Sequence, residues 1–99
     1  MNTSINTVWS NIVKHRNETF WQKNGKPFTY VVKNDYIIVN EIKSANISKA
    51  NIEKALLIQN PSPKKIRDFK IWAQSCVYGI ITDNRIKTLQ IDIDNNLIL

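Results

Sequence analysis

Four cations and one acid lie in the stretch PKKIRDFKIWAQ, residues 63–74, which the spacing of its apolar residues predicts to be one helix. Ile66, Phe69 and Ala73 form the predicted inward stripe, with Trp72 at its margin. The cations outside this stripe are Lys64, Lys65, Arg67 and Lys70. Because the helix dipole disfavours cations in the first turn, cations placed there beside free N–H groups suit a phosphate ligand. We predict a phosphate-binding helix; a solvated basic face is the alternative.

A second basic cluster surrounds two aromatic residues near the turn pair Asn24-Gly25. Its cations are Lys14, Arg16, Lys23 and Lys26. Basic residues with interleaved aromatics suit a single-stranded nucleic acid, whose bases stack on rings, and a basic hairpin also suits the backbone of a duplex. Strand alternation puts Phe20 and Trp21 on opposite faces, and we predict that Trp21 is the exposed one. The alternative is that these rings serve the fold alone.

A nuclease-like order of acidic and basic residues occurs in the middle of the chain. Asp35 is followed by Glu41-Ile42-Lys43, the order in which metal-dependent nucleases hold Mg²⁺ by carboxylates and steady the attacking water by a lysine. The interval between Asp35 and Glu41 is short for that arrangement, and such triplets are frequent by chance. A small nuclease is therefore only the second alternative function.

The single histidine offers a different catalytic hypothesis. His15 stands next to Arg16 and close to Glu18, and such residues provide acid–base chemistry and phosphate stabilisation in small RNase toxins. A lone histidine at a helix end is more often a favourable charge on the helix dipole. One Cys, one His and two Gly leave no zinc-ligand spacing, phosphate loop or glycine-rich nucleotide motif. We predict a non-catalytic protein with no cofactor and no bound metal.

The composition is that of a small folded protein. A chain of 99 residues, 42% hydrophobic and 22% charged, predicts a single domain, residues 1–99. Fourteen Lys and Arg against eight Asp and Glu give a net charge of +6, which favours an anionic partner. The only cysteine, Cys76, lies in an apolar run and predicts a buried thiol in a reducing compartment. Without an apolar span or a secretion signal, we expect a cytoplasmic protein that makes no membrane contact.

The first half of the chain changes its apolar period from helical to extended. Apolar residues at spacings of three and four predict a helix over 4–15. From Thr19 the period is two, and the pairs Asn24-Gly25 and Asn34-Asp35 supply turn residues that tolerate positive φ. We therefore predict a three-stranded antiparallel meander over residues 19–42.

The second half predicts two helices joined by a short turn. Ser48 caps a predicted helix over 49–59, NPSP interrupts it, and Ser62-Pro63 begins the predicted helix 63–74. This is the order of a helix-turn-helix, in which the second helix presents its N-terminal residues to the major groove, although prolines replace the usual glycine. For SCVYGII we favour a helix over a strand, and KTLQIDID predicts a C-terminal strand added to the earlier sheet. The predicted fold class is α+β.

These observations favour a small basic nucleic-acid-binding protein, with DNA preferred to RNA, acting as a regulator or accessory protein of a bacterial or mobile element. The first alternative is a protein-binding inhibitor or adaptor that docks on an acidic surface. A homodimer suits the prediction, because one short helix gives little affinity and helix-turn-helix proteins pair to read two half-sites. The strandedness and base preference of the ligand stay open at this level.

Overall fold

The structure, a computed structural model, describes residues 5–40, 46–87, 90–91 and 97–98. Within these ranges the chain forms helices and short strands in α+β order, which confirms the predicted fold class. The helices are α1 (Ile5–Lys14), α2 (Lys49–Leu56), α3 (Pro63–Asp68) and α4 (Gln74–Ile81). The strands are β1 (Phe20–Trp21), β2 (Pro27–Phe28), β3 (Tyr30–Lys33), β4 (Tyr36–Val39), β5 (Asn46–Ser48), β6 (Gln90–Ile91) and β7 (Leu97–Ile98).

The N-terminal helix forms because its apolar residues share one face. Val8, Trp9 and Ile12 are buried, while Lys14 ends the helix in its last turn. The buried hydroxyl of Tyr30 donates a hydrogen bond of 2.7 Å to the carbonyl of Ile12. Helix α1 is therefore joined to β3 by a polar contact inside an otherwise apolar core.

The predicted meander is present, but it is divided into two ladders. Strand β1 pairs with β2, and β3 pairs with β4, both antiparallel. Gly25 and Asn34 lie in the two turns with φ of 88° and 56°, in the left-handed region that these residues tolerate. The predicted second strand is interrupted at Thr29, whose carbonyl accepts a hydrogen bond from the amide of Asn40. Phe28 and Tyr30 both remain buried across this interruption.

Strand β5 was missed by the sequence prediction. It pairs antiparallel with β4 and places Ile47 opposite Ile37, with both side chains buried. It has only three residues, and the third, Ser48, is itself the cap of α2, so the pattern contains no run long enough to indicate a strand. Ser48 caps α2 as predicted by accepting a hydrogen bond from the amide of Asn51. Helix α2 ends at Leu56, three residues before the predicted end at 59.

The predicted helix 63–74 is wrong in its length and in its buried face. Helix α3 ends at Asp68, and Lys70 and Ala73 adopt positive φ of 60° and 57°. The chain turns sharply there, so that Ile71 is buried while Phe69 is 46% exposed. The predicted stripe assumed one continuous helix, and two left-handed residues remove that periodicity.

Helix α4 lies at the centre of the core, which confirms that SCVYGII is helical. It packs against α2, α3 and β1, and Cys76 is buried in it as predicted. Ala73, in the left-handed conformation, precedes the helix at its N-cap position. Gly79 lies so close to β1 that a side chain there would meet the carbonyl oxygen of Trp21. The helix and the β1–β2 hairpin are therefore packed backbone to backbone.

The C-terminal strand was expected to join the earlier sheet. Strand β6 instead pairs antiparallel with β7, in a ladder that matches Gln90 with Ile98 and Ile91 with Leu97. The other residues of the predicted strand, 88–89 and 92–94, lie outside the described ranges. None of the helices in the described ranges combines the length and apolarity that a bilayer crossing requires.

Substituting Gly79 with alanine tests the contact between α4 and β1. The added Cβ would meet the Trp21 carbonyl, which is backbone and cannot rotate away. We expect Gly79→Ala to lower the free energy of unfolding by about 1–3 kcal/mol in urea denaturation. At an exposed position inside a helix, alanine instead stabilises the fold by about 1 kcal/mol relative to glycine. The difference between Lys54→Ala and Lys54→Gly in α2 measures that benefit here, and stabilisation by Gly79→Ala would contradict the packing described.

Candidate nucleic-acid interface

Helix α3 begins at a capped N-terminus and carries its cations on an exposed surface. The hydroxyl of Ser62 accepts a hydrogen bond from the amide of Lys65, and Pro63 occupies the first turn. Ile66 is the buried residue of the helix. Lys64, Arg67 and Lys70 are exposed. Among the described residues, none of these three forms an ion pair, so the only acid of the helix, Asp68, leaves their charge uncancelled.

Lys65 is oriented differently from its three neighbours. Its ammonium donates hydrogen bonds to the carbonyls of Gln59 and Asn60, at 3.0 and 3.1 Å. These carbonyls belong to the turn between α2 and α3, where Asn60 has a positive φ of 50°. Lys65 therefore stabilises that turn and closes it against α3. The sequence grouped it with the ligand-binding cations because spacing alone does not show that a lysine folds back.

Trp72 is the most prominent feature beside these cations. Its side chain is 79% exposed, and it lines a depression of about 370 Å³. The residues lining this depression are Arg67, Lys70, Ile71, Trp72 and Gln74. The sequence placed Trp72 at the margin of a buried stripe; the turn after α3 instead directs its ring outward. We call Lys64, Arg67, Lys70 and Trp72 the α3–α4 surface.

A second, smaller depression lies between the start of α4 and the residue that follows β1. It has a volume of about 170 Å³ and is lined by Gln22, Ala73, Gln74, Ser75 and Cys76. Gln74 lines both depressions, so the two are neighbours. The close packing of Gly79 on β1 holds the hairpin in this place. The tertiary structure thus brings Gln22, distant in sequence, next to the residues that follow α3.

The hairpin carries the predicted cations Lys23 and Lys26 on exposed positions near its tip. The ammonium of Lys23 lies 5.0 Å from the ring centroid of Tyr78 on α4, within the range of a cation–π contact. The amide of Lys26 donates a hydrogen bond to the side-chain oxygen of Asn24. Trp21 is 53% exposed while Phe20 is buried, which confirms the predicted exposure of Trp21. Trp21 does not line either of the two depressions.

The other two cations of the predicted second cluster belong to the end of α1. The guanidinium of Arg16 donates a hydrogen bond of 2.8 Å to the carbonyl of Val13 in the last turn of α1, which also accepts one from the Arg16 amide. Lys14 is exposed in the last turn, where a cation suits the helix dipole. Neither residue lines the depressions beside Trp72 or Gln22. The predicted cluster is thus divided between two parts of the fold.

Arg85 is an interaction centre that the sequence reasoning missed. Its guanidinium donates hydrogen bonds of 2.9 Å to both carboxylate oxygens of Asp83, one of 2.9 Å to Glu18 and one of 2.8 Å to the carbonyl of Thr19. It also lies 3.8 Å from the ring centroid of Phe20. The spacing Asp83-x-Arg85 was the only local signal, since Glu18 is 67 residues away along the chain. Arg85 ties the turn after α4 to the start of β1.

The contacts of Arg85 change the pKa of its partners. Hydrogen bonds first from His15 and then from Arg85 lower the pKa of Glu18, and a hydrogen bond from Arg85 lowers the pKa of Asp83. The same carboxylate of Asp83 is the main cause that raises the pKa of Arg85. Burial raises the pKa of Tyr30. These groups are therefore held in their ordinary charge states near neutral pH.

The catalytic hypotheses gain little from this geometry. His15 Nδ1 lies 3.1 Å from both carboxylate oxygens of Glu18. The arginine beside that carboxylate is Arg85, whose guanidinium is already hydrogen-bonded to the protein, while Arg16 turns back to α1. Asp35 lines a separate depression of about 500 Å³ together with Glu53 and other residues.

Two members of the nuclease-like set, Glu41 and Lys43, lie outside the described residues. In the ranges that the structure describes, no three His, Cys, Asp or Glu side chains are grouped as they would be around a metal ion.

Comparison of the chain with protein-family models, with curated proteins and with solved structures gives no match. The interpretation of the site therefore depends on this chain's own side chains. The most distinctive of them are an exposed indole and three cations that form no ion pair with another described residue. Arg67 and Lys70 line the larger depression with Trp72, and Gln74 lines both depressions. Such a combination suits a ligand that is both anionic and aromatic.

Replacing Arg85 tests the network that ties β1 to the turn after α4. We expect Arg85→Gln to lower the free energy of unfolding by about 1–2 kcal/mol at neutral pH, because it loses the charged hydrogen bonds and the contact with Phe20. A lowered pKa of Asp83 stabilises the fold above the carboxyl's ordinary value of 3.8, and this contribution is lost as pH falls below it.

The stability difference between wild type and Arg85→Gln should therefore shrink on acidification from pH about 6 to about 3. Urea titrations at several pH values measure this difference. Arg85→Lys keeps the charge but not the fork of hydrogen bonds, so we expect it to behave more like Arg85→Gln than like wild type. A difference independent of pH would contradict the carboxylate contacts.

Lys64 and Lys65, which are adjacent in α3, provide a matched pair of substitutions. We expect Lys65→Ala to lower the free energy of unfolding by about 1 kcal/mol, because two carbonyls of the α2–α3 turn lose their donor. Lys64→Ala, one residue earlier and exposed, should stay within about 0.5 kcal/mol of wild type. Thermal or urea unfolding compares the two variants, and equal effects would show that Lys65 has no special role in the turn.

Proposed function

We propose that this protein binds nucleic acid without cleaving it, through the α3–α4 surface. The observation that carries this proposal is the 79% exposure of Trp72 beside cations that have no carboxylate partner in the described part of the chain. Phosphates attract the cations, and a base offers a π face to the indole. Few other anions combine both groups in one repeating ligand.

The charge of the whole chain supports the same ligand class. The net charge is +6, Arg67 and Lys70 line one depression, and Lys64, Lys23 and Lys26 are also exposed. Contacts with about five phosphates make affinity strongly dependent on salt. A regulatory or accessory role for a bacterial or mobile element, in the cytoplasm, remains part of the proposal, and both DNA and RNA fall within it.

The mode of binding differs from that of a helix-turn-helix. Helix α3 has only six residues, about 9 Å of helix, and it packs mainly on α4. A helix this short presents few side chains to the base edges of a major groove. The proposal therefore depends on phosphate contacts and on Trp72. It does not depend on a recognition helix.

An acidic protein is the second candidate ligand. Phe69 and Leu57 are exposed apolar side chains, at 46% and 80%, and the former lies next to the cations of α3. Apolar anchors surrounded by cations suit an acidic protein surface. Pull-down before and after nuclease treatment separates the candidates, since a protein partner survives the digestion and a nucleic acid does not.

Salt titration of binding tests the proposal. With about five phosphates neutralised, log affinity should fall with log salt at a slope of about −4 to −5 for a duplex, or about −3 to −4 for a single strand. The triple variant Lys64→Ala, Arg67→Ala, Lys70→Ala should make this slope shallower by about 2–3. Fluorescence anisotropy with labelled DNA and RNA provides the measurement.

A matched triple variant controls for the loss of net charge. Lys33→Ala, Lys54→Ala and Lys87→Ala remove three exposed cations that line neither depression beside Trp72. We expect this control to retain most of the slope. If the two triple variants bind alike, or if wild type binds nothing at low salt, the assignment to the α3–α4 surface is wrong. Intact labelled strands after incubation with Mg²⁺ would support binding without cleavage.

A further inference from the structure

We infer that the ligand is an unpaired strand, laid from Trp72 across Gln74 and Gln22 to Lys23, and that a duplex is not the preferred ligand. This inference rests on the proposed function and specifies its substrate class. Four features of the described residues carry it: the exposed indole, two half-buried amides, the two neighbouring depressions and the length of α3.

The exposed ring of Trp72 offers a surface on which a base can stack. The Trp72 ring is 79% exposed and lies beside Arg67 and Lys70 in one depression. A base can stack on this ring only when its own face is uncovered, as in a single strand; inside a duplex both faces are covered by neighbouring pairs. The two cations can meanwhile neutralise the phosphates on either side of the stacked base.

The side-chain amides of Gln22 and Gln74 offer hydrogen bonds to a base. Gln74 lines both depressions and Gln22 lines the smaller one. Both residues are half-buried, and their side-chain amides form no hydrogen bond with another described residue. A carboxamide offers two donors and one acceptor, which match the Watson–Crick edge of an unpaired base. In a duplex that edge is already used by the complementary base. The amides thus favour a ligand whose edges are free.

The β1–β2 hairpin sets the path that the nucleic-acid strand would follow. The packing of Gly79 against Trp21 keeps the hairpin at a set position beside α4. The ammonium of Lys23, at 5.0 Å from the ring of Tyr78, marks the far end of this path, one helical turn from Gln74. Gln74 and Tyr78 are about 6 Å apart along the axis of α4, so this path accommodates a short stretch of a few nucleotides.

A duplex fits the α3–α4 surface poorly. Helix α3 is six residues long, and its Lys65 is hydrogen-bonded to the turn behind it. A major-groove reader needs a longer helix with outward side chains near its N-terminus. The projecting indole would meet the sugar-phosphate backbone of a duplex without a stacking partner.

Oligonucleotides of about eight residues test the inference by fluorescence anisotropy at low salt. The ligands are single-stranded DNA and RNA, an abasic strand that keeps the phosphates and lacks bases, and a duplex of the same length. We expect wild type to bind the single strands at least tenfold more tightly than the abasic strand, because the abasic strand cannot stack on Trp72. The duplex should bind no more tightly than the abasic strand.

Substitution of Trp72 distinguishes stacking from charge. Trp72→Leu should weaken binding of the single strands about 5- to 150-fold, leave the abasic strand unchanged, and be largely restored by Trp72→Phe. Trp21→Leu removes another exposed indole outside both depressions and should have little effect. Circular dichroism establishes that each variant is folded.

Two results would overturn the inference in different ways. Equal affinity for duplex and single strand, with Trp72→Leu unchanged, would exclude the unpaired strand and leave nucleic-acid binding by charge intact. Absence of binding to all ligands at low salt would exclude the proposed function as well. Capture of a protein that survives nuclease treatment, without nucleic-acid binding, would favour the acidic protein instead.

Discussion

The close approach of α4 to strand β1 at Gly79 is the contact on which the arrangement of this protein depends. Because there is no side chain at this position, the backbone of the helix reaches the Trp21 carbonyl and Phe28. This contact brings the hairpin beside the N-terminal end of α4, where Gln22 and Gln74 line one depression. Any larger residue would separate the two elements and divide the proposed site.

The turn between α3 and α4 is the second determinant of the surface. Lys70 and Ala73 are held in the left-handed region, which costs about 1–2 kcal/mol for each residue with a side chain. Burial of Ile71 between them offsets part of this cost. The same geometry directs Trp72 into solvent. The Lys70 conformation belongs to a Schellman cap of α3, because the amides of Lys70 and Ile71 donate hydrogen bonds to the carbonyls of Arg67 and Ile66.

The basic residues of this chain fall into two groups by their partners. Lys65, Arg16 and Arg85 donate to carbonyls or carboxylates of the protein and stabilise turns and helix ends. Lys64, Arg67 and Lys70 have no such partner among the described residues. Net charge alone does not separate these groups. The second group is free to attract phosphates, and two of its members, Arg67 and Lys70, line one depression with Trp72.

Several features of the fold could be predicted from the sequence because they depend on near neighbours. Helix α1, the caps Ser48 and Ser62, the turns at Gly25 and Asn34, and the exposure of Trp21 follow from apolar period, capping chemistry and turn residues. Net charge and the lone cysteine also follow from composition. These parts of the structure need no contact between distant residues.

Tertiary structure alone decided the rest, because long-range contacts override a local period. The predicted helix 63–74 is not continuous, because α3 ends at Asp68 and the chain buries Ile71 while Phe69 stays exposed. Contacts across more than 50 residues selected Arg85 as a partner of Glu18 and brought Gln22 to Gln74. The residue types of the candidate site could therefore be recognised in the sequence. Packing decided which of these cations bond to the protein itself and which are exposed to solvent.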